Sequence, residues 1–261
     1  MQKRLILPSL ILLPNIWLLS TSAYAEESSY SLSLNTGVAP RYQGGDQYAV
    51  TVMPGFRADF GNGFFFDPLR GGAGYMQRFS NGMFASAAVS YDPGRSDGNR
   101  YGRPGSDYLK GMGDIKGSVL GNLTVGGKII RDITASATLE VPLTNLDRGW
   151  SGRIDVNVPV VSWGANKISV TPSLYFGSRK YMQTYFGVTP QQAVNSGFAP
   201  YIADGGMQAT SLTVSWKHSM SRNWAVQSAV GMTRLLGNAA NSPIVENKQS
   251  YFAGAGVVYT F

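Results

Sequence analysis

Gln249-Ser-Tyr-Phe-Ala-Gly-Ala-Gly-Val-Val-Tyr-Thr-Phe261 closes the chain, and its reading decides the fold. Counted back from the terminus, Phe261, Tyr259, Val257, Ala255, Ala253 and Tyr251 fall on one face. Thr260, Val258, Gly256, Gly254 and Phe252 fall on the other. A period of two marks a strand. The plain explanation is the buried last strand of a soluble domain, but a strand ending on an aromatic at the chain terminus is unusual there.

The opposite end of the sequence separates these readings. Lys3 and Arg4 form a charged segment, Leu5 to Leu19 an apolar one broken by Pro8, Pro14 and Asn15, and Ala23-Tyr24-Ala25 a small-x-small cleavage pattern. A membrane helix needs ~20 apolar residues, so residues 1–25 are expected to be a secretory signal peptide cleaved after Ala25. In an exported chain the last strand resembles the C-terminal signal of bacterial outer-membrane barrels, which the insertion machinery reads. Gly256, Tyr259 and Phe261 match that signal, and Gly254 stands where it has a polar residue.

Composition agrees. Charged residues make up 14% of the chain and aromatics 12%, with 32 glycines and no cysteine, and mean hydropathy is near zero. Soluble domains carry nearer ~25% charge. Few charges without a membrane helix suit a transmembrane barrel, whose apolar residues are interleaved with polar ones. Such a barrel draws its stability from a closed hydrogen-bond ladder and needs no disulfides. Losing Lys3 and Arg4 would leave 20 basic against 15 acidic residues. That excess suits contact with outer-membrane lipid and anionic lipopolysaccharide, or a weakly anion-preferring lumen. The basic residues are scattered and form no nucleic-acid-binding motif.

The alternation recurs along the chain. Tyr48, Val50, Val52, Pro54, Phe56 and Ala58 oppose Thr51, Arg57 and Asp59. Ile133 to Val141, Ile154 to Val160, Ile168 to Phe176, Leu212 to Trp216 and Trp224 to Met232 repeat the pattern. The apolar row is assigned to lipid and the polar row to the lumen. Segments of ~10 residues favour membrane strands over the shorter strands of a soluble sandwich. Arg57, Asp59, Glu140, Arg153, Asp155 and Lys217 are then candidate lumenal charges, which either line a conduction path or pair with one another and plug a narrow barrel.

Connections set orientation and strand number. Gly61-Asn62-Gly63, Ser80-Asn81-Gly82, Lys128 to Asp132, Ser162 to Asn166 and His218 to Arg222 are short. Ala39 to Gln47, Pro93 to Gly111, Thr144 to Gly149, Ser178 to Gly205 and Gly237 to Asn247 are longer. Outer-membrane barrels keep short turns in the periplasm and long loops outside. Placing Pro93–Gly111 outside requires the segment 62–79 to be split at Asp67-Pro68-Leu69-Arg70, which gives an antiparallel barrel of about twelve strands with both termini in the periplasm. One long loop is expected to hold a short helix: Thr189 caps, Pro190 takes the first position, Gln192 completes a capping box and Gly197 ends it. A helix this short must rest on the rim or fold into the mouth.

The sequence Tyr181-Met-Gln-Thr-Tyr-Phe-Gly-Val-Thr-Pro-Gln-Gln-Ala193 resembles the signature loop of the MipA/OmpV family of outer-membrane proteins. Pro40-Arg-Tyr-Gln-Gly-Gly-Asp-Gln-Tyr48, Leu109-Lys-Gly-Met-Gly-Asp114 and Arg234-Leu-Leu-Gly-Asn-Ala-Ala-Asn-Ser-Pro-Ile-Val245 match further blocks in order, with Gly45, Met112, Asn238 and Asn241 as departures. The resemblance implies a non-enzymatic barrel of the Gram-negative outer membrane. It further implies a scaffold linking a murein lytic transglycosylase to a penicillin-binding protein, or else an adhesin; the lumenal charges offer a small-solute channel with a mildly basic lumen as the other alternative. Tyr181, Tyr185, Phe186 and Pro190 are candidate interaction residues of the signature loop.

Enzyme chemistry finds little support. The single histidine, His218, stands beside Ser219 with no carboxylate nearby in sequence to orient it. Zinc lacks its usual ligands. Asp92, Asp97 and Asp107 offer at most a calcium site, and a solvated loop is the simpler account. Gly71-Gly72-Ala73-Gly74 and Gly111-Met112-Gly113 precede no helix start and are not phosphate loops. No cofactor is expected.

Overall fold

The computed structural model describes residues 28–69, 71–100 and 102–261. The expected signal peptide, with Lys3, Arg4, Ala23 and Ala25, lies outside the described residues, as does Arg70 of the expected turn.

Twelve antiparallel strands close into one barrel in sequence order. They are β1 (Ser29–Pro40), β2 (Tyr48–Asp59), β3 (Phe64–Asp67), β4 (Gly72–Arg78), β5 (Met83–Asp92), β6 (Ser118–Ile130), β7 (Ile133–Pro142), β8 (Ser151–Trp163), β9 (Asn166–Gly177), β10 (Gly206–Ser219), β11 (Trp224–Leu235) and β12 (Gln249–Thr260). β3 ends at Asp67 and β4 begins at Gly72, the division that the polarity of the long loops required. β6 runs further than expected, to Ile130, because Arg131 takes a left-handed φ of 49° and lets a two-residue turn suffice. No helix among the described residues is long and apolar enough to cross a membrane.

The burial pattern is inverted relative to a soluble protein. On β10, Leu212 and Val214 are 43% and 39% exposed, while Ser211, Thr213 and Ser215 between them are 4%, 6% and 3% exposed. Register carries the inversion around the ring, since Ser136, Asp155, Ser173, Ser211 and Thr233 face one another on successive strands and share the lumen. In water this outward apolar row would be costly; against acyl chains it is matched.

The terminal stretch forms the closing seam. β12 pairs with β1 from Ser31 opposite Thr260 to Val38 opposite Ala253, and Phe261 N–H adds a bond to Tyr30 O at 3.0 Å. Tyr259 packs on Trp224 and Phe261 with ring centroids 4.9 and 5.0 Å apart. With Tyr30–Phe60 and Phe64–Tyr75 they make an aromatic girdle at the short-turn end, where amphipathic rings suit the membrane interface.

A charge in the middle of the outward row tests this geometry. Leu212→Arg is expected to cost ~2–4 kcal/mol of folding stability in a bilayer, measured by denaturant titration. A cost near zero would mean that this row does not meet hydrocarbon.

Candidate functional site

The long-loop end is closed by a cap built from all five long connections. Helix α1 (Arg179–Phe186) starts where the Ser178 hydroxyl accepts from Tyr181 N–H. Helix α2 (Pro190–Ser196) has the expected capping box at Thr189 and Gln192, and it ends on Gly197 at φ 81°. Helix α3 (Gly237–Ala240) is a single turn. Helices of this length are marginal alone, so burial must hold them. Met182 and Phe186, one turn apart on α1, are fully buried with Ala203, Ala209, Leu235 and Ala239. Tyr42, Leu109, Met112, Val188 and Ile244 form a second cluster, and Tyr201 packs against both.

Polar contacts tie the same loops together. Tyr42 donates its hydroxyl to Ile244 O at 2.8 Å, and its hydroxyl also meets Glu246 Oε2 at 3.0 Å. Gln192 Nε2 donates to Met112 O at 2.8 Å, Gly105 N–H to Arg41 O at 2.9 Å, and Ser242 to Phe186 O. Gly111, at φ 89°, lies so close to the Asn195–Ser196 backbone that a Cβ would strike it. Burial, and then the neighbouring Glu246 carboxylate, push the Tyr42 hydroxyl well above its ordinary range, so it stays a donor.

Beneath the cap lies a cavity of about 290 Å³, lined by Asp92, Arg95, Glu140, Arg148, Arg153, Tyr175, Tyr181 and Tyr185 among others. Arg148, 6% exposed, places Nη2 2.5 Å from Asp92 Oδ2 and also bonds the Tyr185 hydroxyl, which donates to Asp92 at 3.1 Å. Its guanidinium lies 5.5 Å from the Tyr185 ring centre, a cation–π contact. Burial opposes its charge, but Tyr185 and Asp92 hold its pKa above the ordinary arginine value. Arg95, also 6% exposed, donates to Tyr185 O at 2.6 Å. Burial lowers its pKa to about 10, and it remains charged at neutral pH. Further out, Asp114 is held below the ordinary carboxylate range; burial works against this, but the Asp97 N–H, Arg103 and Arg100 outweigh it.

The six candidate lumenal charges all lie on the inward row. Arg153 pairs with Asp155 at 2.9 Å, whose other oxygen accepts from Ser173 at 2.6 Å. Glu140 accepts from Ser151 at 3.1 Å, and Arg57 lies 3.9 Å from Asp59. Arg153 and Glu140 border the cavity, whereas Arg57, Asp59 and Lys217 lie near the short-turn end of their strands. Of the signature-loop candidates, Phe186 is buried, Tyr181 and Tyr185 pack inside the cap, and Pro190 is exposed at the start of α2. Gly256, Tyr259 and Phe261 sit at the closing seam. His218 meets Asn166 Oδ1 at 2.9 Å and stacks on Trp216. Asp92, Asp97 and Asp107 serve Arg148, Gly113 and Asn99 respectively. No group of three or more His, Asp or Glu side chains that could hold a metal occurs among the described residues.

Sequence reasoning passed over Arg95, in a loop taken as solvated, and Arg148, in a loop read only as a longer connection. Their partners lie far along the chain, 90 residues for Arg95–Tyr185 and 56 for Arg148–Asp92, so no local spacing announced them. Arg148→Leu is expected to destabilise the cap by about 3 kcal/mol, at the low end for a broken buried pair because Asp92 keeps partial exposure. Faster hydrogen exchange across residues 93–117 and 178–205, with the strands unchanged, would register it. Unchanged loop exchange would mean that the pair does not hold the cap.

The family described as MltA-interacting protein MipA matches residues 32–261. The chain is 26% identical over 165 residues to outer membrane protein Omp26La of Vibrio anguillarum, and 24% identical over 165 residues to outer membrane protein OmpV of Vibrio cholerae. Each match covers 63% of this chain and 62% of the relative, so it spans a little under two thirds of those proteins' length. Among solved structures, the COG4313 outer membrane channel from Pseudomonas putida F1 aligns with a TM-score of 0.45 and 8% identity, covering 93% of this chain and 100% of that one. OmpT of Vibrio cholerae aligns with a TM-score of 0.37 and 10% identity, covering 90% and 97%.

Proposed function

Because this chain belongs to the MipA family of outer-membrane barrels, we propose that it is a non-catalytic scaffold that holds a murein lytic transglycosylase, and through it a penicillin-binding protein, at the inner face of the outer membrane. The family's description supplies the first partner. The observation that carries the reading is the interlocked cap. A passage needs a mouth, and here five loops are fastened across it by two apolar clusters and buried hydrogen bonds. The four blocks that carry the family resemblance are the segments that meet in this cap, and Tyr42, Leu109, Met112, Met182, Phe186 and Ile244 among them are spent on holding it together.

The inner rim supports docking on the other side. Arg78, Lys128, Arg131, Lys167 and Arg222 gather at the short-turn end, where Asp59 and Asp132 are the acidic residues among the described ones. A partner with an acidic face would be attracted there and oriented by the field.

The channel reading keeps one observation in its favour: much of the lumenal row is small, with Ser169, Ser173, Ser211 and Thr213 on adjacent strands, so a displaced cap would leave space behind it. Conductance separates the two. Folded protein in a planar bilayer is expected to give no stable steps, and a photocrosslinker at Arg131 or Asn223 is expected to capture a lytic transglycosylase where one at Pro190 does not. Stable steps from the intact protein would replace the scaffold with a channel, and capture from Pro190 alone would move the docking face outside.

A further inference from the structure

The barrel wall is incomplete on one side. β2 pairs with β1 along all twelve of its residues, but on its other edge it pairs with β3 only at Ala58 and Asp59. Among the described residues, Tyr48 to Arg57 face no strand on that edge. That is roughly 30 Å of backbone at ~3.3 Å per residue.

The missing wall is the short β3–β4 hairpin. Leu69 and Gly71 at its described ends turn out of the plane of the sheet toward the lumen. A Cβ on Gly55, whose neighbours Ser33 and Asn35 are lumenal, would lie 2.6 Å from Leu69 Cδ1. Asn122, on the lumenal row of β6, donates to Gly71 O at 3.2 Å and to Ser90 Oγ at 2.8 Å. Gly71 and Gly72, at φ 145° and 89°, permit the bend.

Unpaired strand backbone facing hydrocarbon is costly, and the edge is shaped against the simplest remedy. Gln47 O accepts on the β1 side and Phe60 N–H donates on the β3 side. Alternation then turns the nitrogen of Pro54 toward the open edge. A proline there removes a donor from the middle of the edge and blunts it as a template for another strand.

The chemistry around the opening favours an apolar occupant. Outside it is a hollow of about 1140 Å³ whose lining includes Phe56, Phe64, Phe66, Tyr75, Leu123 and Leu143. Behind it Met53 and Leu69 face the lumen beside Thr51, with Phe65 and Met76 below them toward the short-turn end. Two polar points stand among them, since buried Thr51 Oγ1 on β2 and buried Asn122 Oδ1 on β6 have no hydrogen-bond partner. We infer that the gap between β2 and β5 is a lateral portal on the long-loop half of the membrane, which admits the hydrocarbon chain of an amphipathic molecule from the bilayer, with Asn122 Oδ1 placed to accept from a hydroxyl or amide of that molecule.

The absence of cysteine allows a direct test. Leu69→Cys, Thr213→Cys and Leu212→Cys are each labelled with bimane and reconstituted into bilayers of lipids brominated on their acyl chains. Quenching at position 69 is expected to come within about twofold of the lipid-facing position 212 and several-fold above the lumenal position 213. Quenching at 69 no greater than at 213, or quenching there only by aqueous iodide, would overturn the portal. Unmodified protein labelled with a diazirine-bearing fatty acid guards against disturbance by the dye. Adducts on Met53, Phe65 or Leu69 support the portal, and adducts confined to outward residues reject it.

Discussion

Backbone hydrogen bonding in hydrocarbon is the constraint from which the rest of this structure follows. A strand placed among acyl chains has no water to satisfy its N–H and C=O groups, so the sheet must close on itself. Here closure depends on one seam, β12 against β1, which joins the two ends of the described chain. Most inward positions are polar or small and most outward ones apolar because that closure defines an inside and an outside. Small inward residues such as Gly254 and Gly256 sit at the seam itself, where β1 and β11 crowd from both sides.

Closing the wall leaves the ends, and the two ends are finished differently. At the short-turn end, aromatic rings and basic side chains meet the interface and the aqueous phase. At the other, loops that would otherwise carry a large entropy cost are ordered against one another. Burial of Met182 and Phe186 organises α1, and Tyr42 reaches across more than 200 residues to Ile244 and Glu246. The Arg148–Asp92–Tyr185 cluster lies at the boundary of cap and lumen. Its groups satisfy one another, as buried charges must where little water reaches.

Much of the wall was legible because its signal is local. Period-two alternation, glycine-rich short turns and the terminal aromatic each occupy a few adjacent residues, and together they imply twelve strands and the division at Asp67. The α2 helix was legible for the same reason, since Thr189, Pro190, Gln192 and Gly197 spell a start and a stop within nine residues. The cap was not. Arg95 and Tyr185, or Leu109 and Ile244, meet only after the barrel has brought distant loops to one rim, and nothing in their own neighbourhoods marks them. Helix α1 carried a partial signal in the spacing of Met182 and Phe186, but its cap at Ser178 is a residue type common in any loop.

The shortened β3–β4 hairpin shows how the same constraint can be relaxed at one place. Closure demands that each strand edge meet another, and β2 meets β3 over only two residue pairs. The departure is organised: Pro54 removes a donor from the exposed edge, Gly71 and Gly72 let the chain turn inward, and Asn122 holds it there. Apolar side chains stand on both sides of the gap, so hydrocarbon filling it would be matched inside as well as out. With its loops interlocked across one end and its wall unpaired along β2, a barrel of this kind would take molecules from the membrane rather than from the aqueous phase, as the proposed portal requires.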